Sequence, residues 1–230
     1  MEQRRLAAIM FTDIQGYTAL MQQSEAEALR VREVHREIFN SNTEQFHGEI
    51  IQYYGDGTLS IFESAVDAVQ CGIAMQHAFQ QEPQIPIRIG IHSGDIVLNE
   101  DDIIGDAVNI ASRVESLAVP GGVLISDKVF DEIKNKDDIQ TTSLGKFKFK
   151  NVKHPIEVYA ISNEDLERSN AEKTSAVHFM RFELEPDMVA ALRSGAALKM
   201  GSSHESYHFS TDVEQPILDA LLADLDLCSG

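Results

Sequence analysis

Residues 6–18 have the sequence LAAIMFTDIQGYT, and the fold of the chain follows from this stretch. Residues 6–12 form a mostly apolar run that predicts a buried strand, and Asp13 comes directly after it. Gly16 permits a tight turn, and the residues beyond the turn have a helical pattern. Because the first N–H groups of a helix bind phosphate oxygens readily, the stretch predicts a carboxylate and a phosphate-binding turn at one strand end.

A second aspartate lies in the sequence Gly55-Asp56-Gly57, between the apolar runs 49–54 and 58–62. An Asp-Gly pair between two such runs is a strong short-range signal of a β-hairpin. Two carboxylates that are delivered by two adjacent strands can hold two divalent metal ions around a triphosphate. We therefore expect Asp13 and Asp56 to form a paired-metal site.

Strand and helix patterns alternate along the chain as far as residue 161. The further predicted elements are one long or two consecutive helices over 18–47, a helix over 64–81, strands over 87–91 and 96–99 joined by a turn at 92–95, a helix over 105–118, a strand over 123–126, a short helix from 127, and a closing hairpin of strands over 145–150 and 156–161. Because hairpins recur, we predict an α+β fold in which helices cover a mostly antiparallel sheet.

The composition changes after residue 162, where residues 163–176 form a polar linker. We therefore expect a first domain over 1–162 and a small C-terminal α/β extension over 177–230. The patterns in the extension predict a strand over 178–184 and helices over 186–193 and 214–227. Since about 55 residues are marginal for an independent core, we expect the extension to dock on the first domain or on a second protomer.

The overall composition excludes several classes of protein. The chain has 230 residues, 43% of them hydrophobic, and a formal net charge of −18. So acidic a chain lacks the cationic surface that a general nucleic-acid binder needs. Cys71 and Cys228 match no metal or redox spacing, so we interpret both as free thiols in a reducing cytosol. No apolar run approaches the roughly 18 residues that a membrane span needs, and we expect a cytoplasmic protein.

Residues 87–94 have the sequence IRIGIHSG, which places an arginine inside an apolar strand. Arg88 is either a strand-end arginine that reaches water or a fixed cation for triphosphate oxygens, which a guanidinium matches well. His92 is a candidate metal ligand, a candidate base or a structural residue. A hydrogen-bonded structural role is the most common one for a histidine at the end of a strand.

The helix predicted over 105–118 carries an apolar stripe formed by Ala107, Ile110, Ala111, Val114 and Ala118. Asn109 and Arg113 are spaced i, i+4, so they share one face of this helix. Asn109 lies about 200° around the helix from Ala107, given roughly 100° per residue. The face of Asn109 and Arg113 therefore points away from the core of its own chain, where it suits a ligand, a partner or solvent.

Four motifs occur in order along the chain: Phe-Thr-Asp-Ile-x-Gly-Tyr-Thr from Phe11, Gly-Asp-Gly from Gly55, Arg-x-Gly-Ile-His-Ser-Gly from Arg88, and Gly-Asp-x-Val-Asn-x-Ala-x-Arg from Gly105. Together they resemble the class III adenylyl/guanylyl cyclase catalytic domain of bacterial type. The resemblance implies a ferredoxin-like, palm-type sheet and an enzyme that converts ATP to 3′,5′-cyclic AMP and pyrophosphate. It also implies two divalent metal ions, Mg2+ or Mn2+, and a homodimer whose active sites are shared between protomers.

The resemblance assigns roles by position. The assigned residues are Asp13, Asp56 and the Ile14 carbonyl for metal binding; Gly16, Tyr17, Thr18, Arg88 and either Lys150 or Lys153 for phosphate binding; and Asn109 and Arg113 for catalysis. Asn109 would orient the ribose, and Arg113 would stabilise the charge that develops at the α phosphate. In this family both come from the other protomer. The ribose 3′-oxygen would attack the α phosphorus in line, assisted by two metals.

Two further positions concern the base. Adenylyl cyclases of this type usually have a Lys four residues before the second metal aspartate and an Asp seven residues before the ribose Asn, and the residues here are Gln52 and Asp102. Asp102 can accept from the exocyclic amine of adenine, whereas the amide of Gln52 donates or accepts and discriminates purines poorly. Guanylyl enzymes typically have Glu and Cys at these positions. The resemblance therefore favours ATP over GTP. The alternatives are a guanylyl or mixed-purine cyclase and a non-catalytic nucleotide-binding dimerisation module.

The extension over 177–230 faintly resembles the C-terminal part of an uncharacterised bacterial domain family, which assigns no function to it. No recognisable sensor sequence precedes Phe11. We therefore expect control by the extension, by small ions such as bicarbonate or Ca2+, or by a separate regulatory partner.

Overall fold

The chain divides into two compact units, Met1–Met180 and Arg181–Gly230. A computed structural model describes residues 3–81, 83–98, 103–162, 184, 186–204 and 207–227. All of the predicted site residues belong to the first unit. Asp102 lies outside the described residues, and the others lie among them.

The first unit is built on an eight-stranded sheet. Its elements are β1 (Gln3–Ile14), α1 (Tyr17–Gln23), α2 (Glu25–Gln45), β2 (Glu49–Tyr54), β3 (Gly57–Phe62), α3 (Ala65–Phe79), β4 (Ile87–Leu98), β5 (Ile103–Ile104), α4 (Asp106–Ser116), β6 (Val123–Ser126), α5 (Asp127–Ile133), β7 (Thr141–Phe147) and β8 (Ile156–Ile161). The strand order is β2-β3-β1-β4-β6-β8-β7, and β5 pairs with β4. The described pairs are antiparallel except β4 with β6, which are parallel. The predicted α+β fold with a mostly antiparallel sheet is confirmed.

Different helices cover the two faces of the sheet. In β1, Met10 contributes to a large core cluster with residues of α2, α3 and α5. Ile9 belongs to a second cluster, together with Ala107 and Ala111 of α4. Because successive residues of a strand alternate between its faces, Asp13 lies on the same face as Ile9, the face that α4 covers.

Two glycines of β4 allow α4 to approach the sheet closely. A Cβ added at Gly90 would lie 2.1 Å from the backbone nitrogen of Glu115. A Cβ added at Gly94 would lie 2.6 Å from the Cβ of Ala107. Neither side chain could be accommodated unless the helix moved, because interiors are close-packed. These glycines therefore set the distance between α4 and the sheet.

The turn predicted at 92–95 is wrong, because β4 continues unbroken from Ile87 to Leu98. β1 pairs with β4 along the whole length of both strands. Two of the polar residues that suggested a turn are buried, with His92 1% and Ser93 4% exposed, whereas Asp95 is exposed. Pairing with β1 and packing under α4 therefore override the local turn signal.

The helices between residues 18 and 47 and the state of Cys71 agree with the sequence analysis. The region predicted as one or two helices over 18–47 contains two, α1 and α2, which meet at Ser24. The hydroxyls of Ser24 and Ser64 cap α2 and α3 by accepting from backbone N–H groups three residues later, at 3.3 and 3.2 Å. Cys71 is a buried free thiol, and Cys228 lies outside the described residues.

The second unit contains α6 (Pro186–Arg193), β9 (Lys199–His204), β10 (Tyr207–Asp212) and α7 (Gln215–Leu227). Both helices match the predictions, whereas the antiparallel hairpin of β9 and β10 is not predicted by the sequence pattern. The strand predicted over 178–184 lies outside the described residues, apart from residue 184. Among the described helices of both units, none combines the length and the apolar character needed to cross a membrane.

Candidate active site

The two predicted metal aspartates lie at one end of the β1–β3 pair. Thr12 of β1 is opposite Thr58 of β3, which brings Asp13 next to the turn that contains Asp56. A Cβ added at Gly57 would lie 3.8 Å from Oδ1 of Asp13. Burial raises the pKa of Asp56, and the negative charge of Asp13 raises it further, whereas a backbone hydrogen bond and Arg88 oppose the shift. The structure therefore brings the two carboxylates together, as predicted.

Arg88 lies directly beside this pair. It is opposite Asp13 in the β1–β4 register, and its Nη2 donates to Oδ2 of Asp13 at 2.5 Å. On its other side, Nε of Arg88 lies 3.0 Å from Oε1 of Glu115 on α4. The guanidinium is thus held between two carboxylates, which excludes a role as a simple strand-end arginine in water.

Glu115 is a member of this cluster that the sequence analysis missed. Its side chain is only 8% exposed, and it reaches Arg88 from α4 across the close contact at Gly90. The pKa of Glu115 is raised to about 7, mainly by burial. The charge of Arg88 opposes this shift, and the charge of Asp13 adds to it. The available signal was an acidic residue beside Val114, on the apolar stripe of the helix.

The donor set at this cluster suits a hard divalent cation. Within the described ranges, no three His, Cys, Asp or Glu side chains are grouped for metal binding. Mg2+, however, commonly uses one or two carboxylates and takes its other ligands from water and substrate phosphates. Asp13 and Asp56 supply two oxygen donors whose mutual repulsion a cation would relieve. The Ile14 side chain is a hydrocarbon that is buried in the core, so its backbone carbonyl is the group of this residue that could serve as a third donor.

The turn after β1 has the conformation that the sequence predicts. Gly16 has φ +80°, in the left-handed region, and it forms the N-cap of α1. The backbone N–H of Gln15 donates to the carbonyl of Pro86 at 2.8 Å, which ties the turn to the start of β4. The Tyr17 side chain is buried in the core, while Thr18 is exposed. Tyr17 could therefore contact a phosphate through its backbone alone.

The outward face of α4 agrees with the helical spacing. Asn109 is exposed and Arg113 is half-buried, whereas the apolar stripe residues are buried. Nη1 of Arg113 donates to the backbone carbonyl of Lys150. The structure therefore joins Arg113 to the segment after β7 and not to Asp13.

The lysine-rich segment around residue 150 alternates in exposure. Lys146, Lys148 and Lys150 are exposed, and Phe147 and Phe149 pack against the core cluster that α4 shares with β8. Lys153, the alternative phosphate lysine, is also exposed. The choice between Lys150 and Lys153 stays a prediction.

One of the two predicted base-reading residues lies on the face of the aspartates. Gln52 of β2 is exposed and is opposite Leu59 of β3 after a bulge. Cross-strand partners project on the same side of a sheet, and Leu59 belongs to the cluster under α4. Gln52 therefore shares the face of Asp13. Asp102, the other base residue, lies outside the described residues.

His92 has a structural environment. Its Nδ1 lies 2.7 Å from the hydroxyl of Ser126 on β6, and its side chain is buried under α4. Burial, followed by the charge of Lys128, lowers the pKa of His92 to about 3. A neutral imidazole that is hydrogen-bonded inside the protein supports the structural alternative for this residue.

Two family models match the chain. A model described as the adenylate and guanylate cyclase catalytic domain matches residues 1–163. A second model, described as a protein of unknown function, matches residues 126–225 and overlaps the first.

Individual proteins are also similar to this chain in sequence, and solved structures are similar in fold. A Rhizobium meliloti (strain 1021) protein, whose name designates it a candidate adenylate cyclase, is 35% identical over 173 residues, which are 72% of this chain and 30% of that protein. The structure of an adenylate/guanylate cyclase/hydrolase from Silicibacter pomeroyi is 38% identical with a TM-score of 0.65, covering 70% of this chain and 98% of that one. The structure of the adenylyl cyclase CyaB from P. aeruginosa is 27% identical with a TM-score of 0.63, covering 77% of this chain and 100% of that one. The chain spans less than half the length of the curated relatives that it matches.

Proposed function

The chain belongs to the class III adenylyl/guanylyl cyclase catalytic-domain family, and from this premise we propose that it converts ATP to 3′,5′-cyclic AMP and pyrophosphate. The observation that carries the proposal is the convergence of Asp13, Asp56 and Arg88 on the face of the sheet under α4. Two carboxylates beside a guanidinium complement the mixed charge of a metal-bound triphosphate.

Asp13, Asp56 and the Ile14 carbonyl would hold two divalent cations, Mg2+ or Mn2+. When bound, such cations lower the pKa of the ribose 3′-hydroxyl and neutralise part of the triphosphate charge.

The other residues bind and orient the nucleotide. The backbone of Gly16, Tyr17 and Thr18 receives the β and γ phosphates, with help from Arg88 and Lys150. Because the ribose 3′-oxygen attacks the α phosphorus in line and pyrophosphate leaves, no covalent nucleophile is needed. The protein contributes mainly position and charge stabilisation.

We propose that the active enzyme is a homodimer with shared sites. Glu115 faces Arg88 of its own sheet. Arg113 lies two residues away on the same helix, which is about 200° around its axis, so it faces away from the aspartates of its own chain. Asn109, one helical turn earlier, is exposed. These two residues therefore suit the nucleotide that a second protomer holds, where Asn109 would orient the ribose and Arg113 would stabilise charge at the α phosphate.

A mixed-purine cyclase is the second candidate, and Gln52 favours it. The Gln52 amide is exposed on the face of the aspartates, and an amide both donates and accepts. It can therefore contact guanine as well as adenine. Asp102, as an acceptor for the exocyclic amine of adenine, supports ATP as the preferred substrate.

Purified protein incubated with ATP or GTP and with Mn2+ or Mg2+ tests these proposals. Cyclic AMP and pyrophosphate should appear in equal amounts from ATP, and the ratio of kcat/KM for ATP and GTP measures selectivity. No product from either purine, at protein concentrations that favour a dimer, would refute catalysis and leave a nucleotide-binding module of the same fold.

A pair of variants shows whether the activity comes from this site. Asp13→Asn should abolish product formation. Asp131→Asn is a matched control, because Asp131 is an exposed aspartate on α5 that pairs with Lys134 at 2.8 Å. Equal activity of wild type and Asp13→Asn would exclude the proposed site.

A further inference from the structure

Arg88 has two carboxylate partners that come from opposite sides. Asp13 approaches from β1, at 2.5 Å, and Glu115 approaches from α4, at 3.0 Å. The Asp13 side chain is 29% exposed, whereas that of Glu115 is 8% exposed. Solvent and cations can therefore reach the Asp13 side of the guanidinium far more easily than the Glu115 side.

The backbone holds Glu115 in a fixed place relative to Arg88. Residues 88 and 90 alternate with residue 89 along β4, so Arg88 and Gly90 are on the same face. The absent side chain of Gly90 admits the Glu115 backbone, whose nitrogen would lie 2.1 Å from a Cβ at that position. The carboxylate is therefore delivered by a rigid helix–strand contact.

We infer that Glu115 is a positioning residue that acts through Arg88. While no cation is bound, Arg88 neutralises the charge of Asp13. When a divalent cation binds Asp13, Glu115 holds the Arg88 guanidinium in place. The inference rests on the proposed function, because it assumes that Asp13 binds the cation. A cation on Asp13 repels Arg88, and a guanidinium whose side chain is only 26% exposed is costly to leave without a partner. Glu115 supplies that partner. Without the Glu115 charge, Arg88 would stay on Asp13 and compete with the cation.

Binding of Mn2+ alone, with no nucleotide, tests this inference. Free Mn2+ is measured by electron paramagnetic resonance at pH 8, above the pKa of Glu115, for wild type, Glu115→Gln, Arg88→Ala and the double variant. Glu115→Gln should weaken Mn2+ binding roughly 10-fold, since it removes the second carboxylate charge that faces the guanidinium. Arg88→Ala should tighten binding because the competing cation is gone. The double variant should bind like Arg88→Ala, within about 2-fold, if Glu115 acts only through Arg88.

Three controls make the result decisive. Asp13→Ala should abolish Mn2+ binding, so that the free Mn2+ signal stays at the level seen without protein, which shows that the measured binding occurs at this site. Glu157→Gln is a matched control, because Glu157 on β8 is half-buried and accepts a hydrogen bond from the Ser143 hydroxyl at 2.6 Å. The Glu157→Gln protein should bind Mn2+ with the wild-type affinity. If Glu115→Gln does not fold, Glu115→Asp takes its place in the test. This variant keeps the charge but withdraws it from Arg88, so it should also weaken Mn2+ binding.

The inference fails if Glu115→Gln leaves the Mn2+ affinity unchanged, if it changes the affinity equally with and without Arg88, or if Asp13→Ala leaves Mn2+ binding intact. Its failure is distinguishable from failure of the proposed function. Wild type that binds Mn2+ through Asp13 but makes no cyclic nucleotide refutes the catalytic proposal alone. Wild type that makes cyclic nucleotide, with an Mn2+ affinity that Glu115→Gln does not alter, refutes this inference alone.

Discussion

Arg113 and Glu115 lie two residues apart on α4 and have opposite surroundings. Glu115 is buried against Arg88, and Arg113 is half-buried with its guanidinium on the Lys150 carbonyl. A guanidinium whose described partner is a carbonyl keeps its full charge available for an anion. The helix α4 can therefore position Arg88 of its own chain through Glu115 and contact a nucleotide bound by another chain through Arg113.

Replacing Arg113 should slow the chemical step more than it weakens substrate binding. If its guanidinium contacts charge that develops only in the transition state, Arg113→Ala should lower kcat by roughly 10²–10³-fold and raise KM much less. Steady-state kinetics with ATP and Mn2+ measures both constants. Arg30→Ala is the control, because Arg30 is an exposed arginine on α2 that pairs with Glu27. A rise in KM at constant kcat would assign Arg113 to ground-state binding instead.

At the scale of elements, the α4–β4 contact positions the site. Gly90 and Gly94 bring the helix against the strand, and the strand carries Arg88 to Asp13 through the β1–β4 register. Asp13, Arg88 and Glu115 are thus anchored by regular secondary structure, and Asp56 lies in the tight turn between β2 and β3. Sites on such elements hold their geometry better than sites on loops.

A methyl group at Gly90 should disturb this contact. Gly90→Ala places a Cβ 2.1 Å from a backbone nitrogen, and backbone cannot give way as a flexible side chain does. We expect a loss of at least about 2 kcal/mol in the free energy of unfolding, together with lost activity. Gly55→Ala is the comparison, since Gly55 has φ +62° and open space around it, and only the cost of about 1 kcal/mol for the left-handed conformation applies. Urea denaturation of both variants checks the difference, and equal losses would mean that α4 relaxes freely.

Local patterns predict the elements of this fold better than they predict its contacts. The stripe of α4 and the hairpin around Asp56 are periodic or turn-forming by themselves, so the sequence alone indicates them. The continuity of β4 through His92 depends on β1 and α4, which are distant in sequence. Glu115 escapes prediction for the same reason, because an acidic residue on a helix normally faces solvent and only the Gly90 contact buries it. The β9 strand, KMGSSH, has a single apolar residue, so it lacks the alternation of apolar and polar residues that predicts a strand, and the β9–β10 hairpin is not predicted.

At the scale of the whole molecule, two buried histidines should make stability depend on pH. His35 stacks on Phe79 with ring centroids 5.5 Å apart, and burial, followed by the charge of Arg36, lowers its pKa from 6.5 to about 4. The pKa of His92 is lowered to about 3, again mainly by burial. Below pH 6.5 the unfolded chain therefore binds protons that the folded chain does not. Each histidine lowers the free energy of unfolding by about 1.4 kcal/mol per pH unit as the pH falls from 6.5 toward its folded pKa.

Glu115 acts with the opposite sign, because its pKa is raised from 4.5 to about 7. Its folded form binds a proton that the unfolded form lacks, so it offsets about one of the two histidines between pH 6.5 and 4.5. Wild type should lose stability across this window, and His35→Leu should lose much less. Urea denaturation at several pH values measures the slopes. His154→Gln replaces an exposed histidine and should keep the wild-type slope. An identical slope in His35→Leu would show that His35 does not titrate as its burial implies.

The shared site makes a prediction that concerns two chains at once. Asp13→Ala removes a metal ligand and Arg113→Ala removes the group that the other protomer supplies, so each homodimer should be inactive. In an equal mixture that exchanges subunits, about half of the dimers are mixed, and each mixed dimer has one site with both defects and one intact site. Activity should therefore recover to about a quarter of the wild-type value at equal total protein. Subunit exchange is verified independently with differently labelled chains. No recovery despite exchange would mean that Asp13 and Arg113 serve the same site from one chain, since every site would then carry one of the two defects.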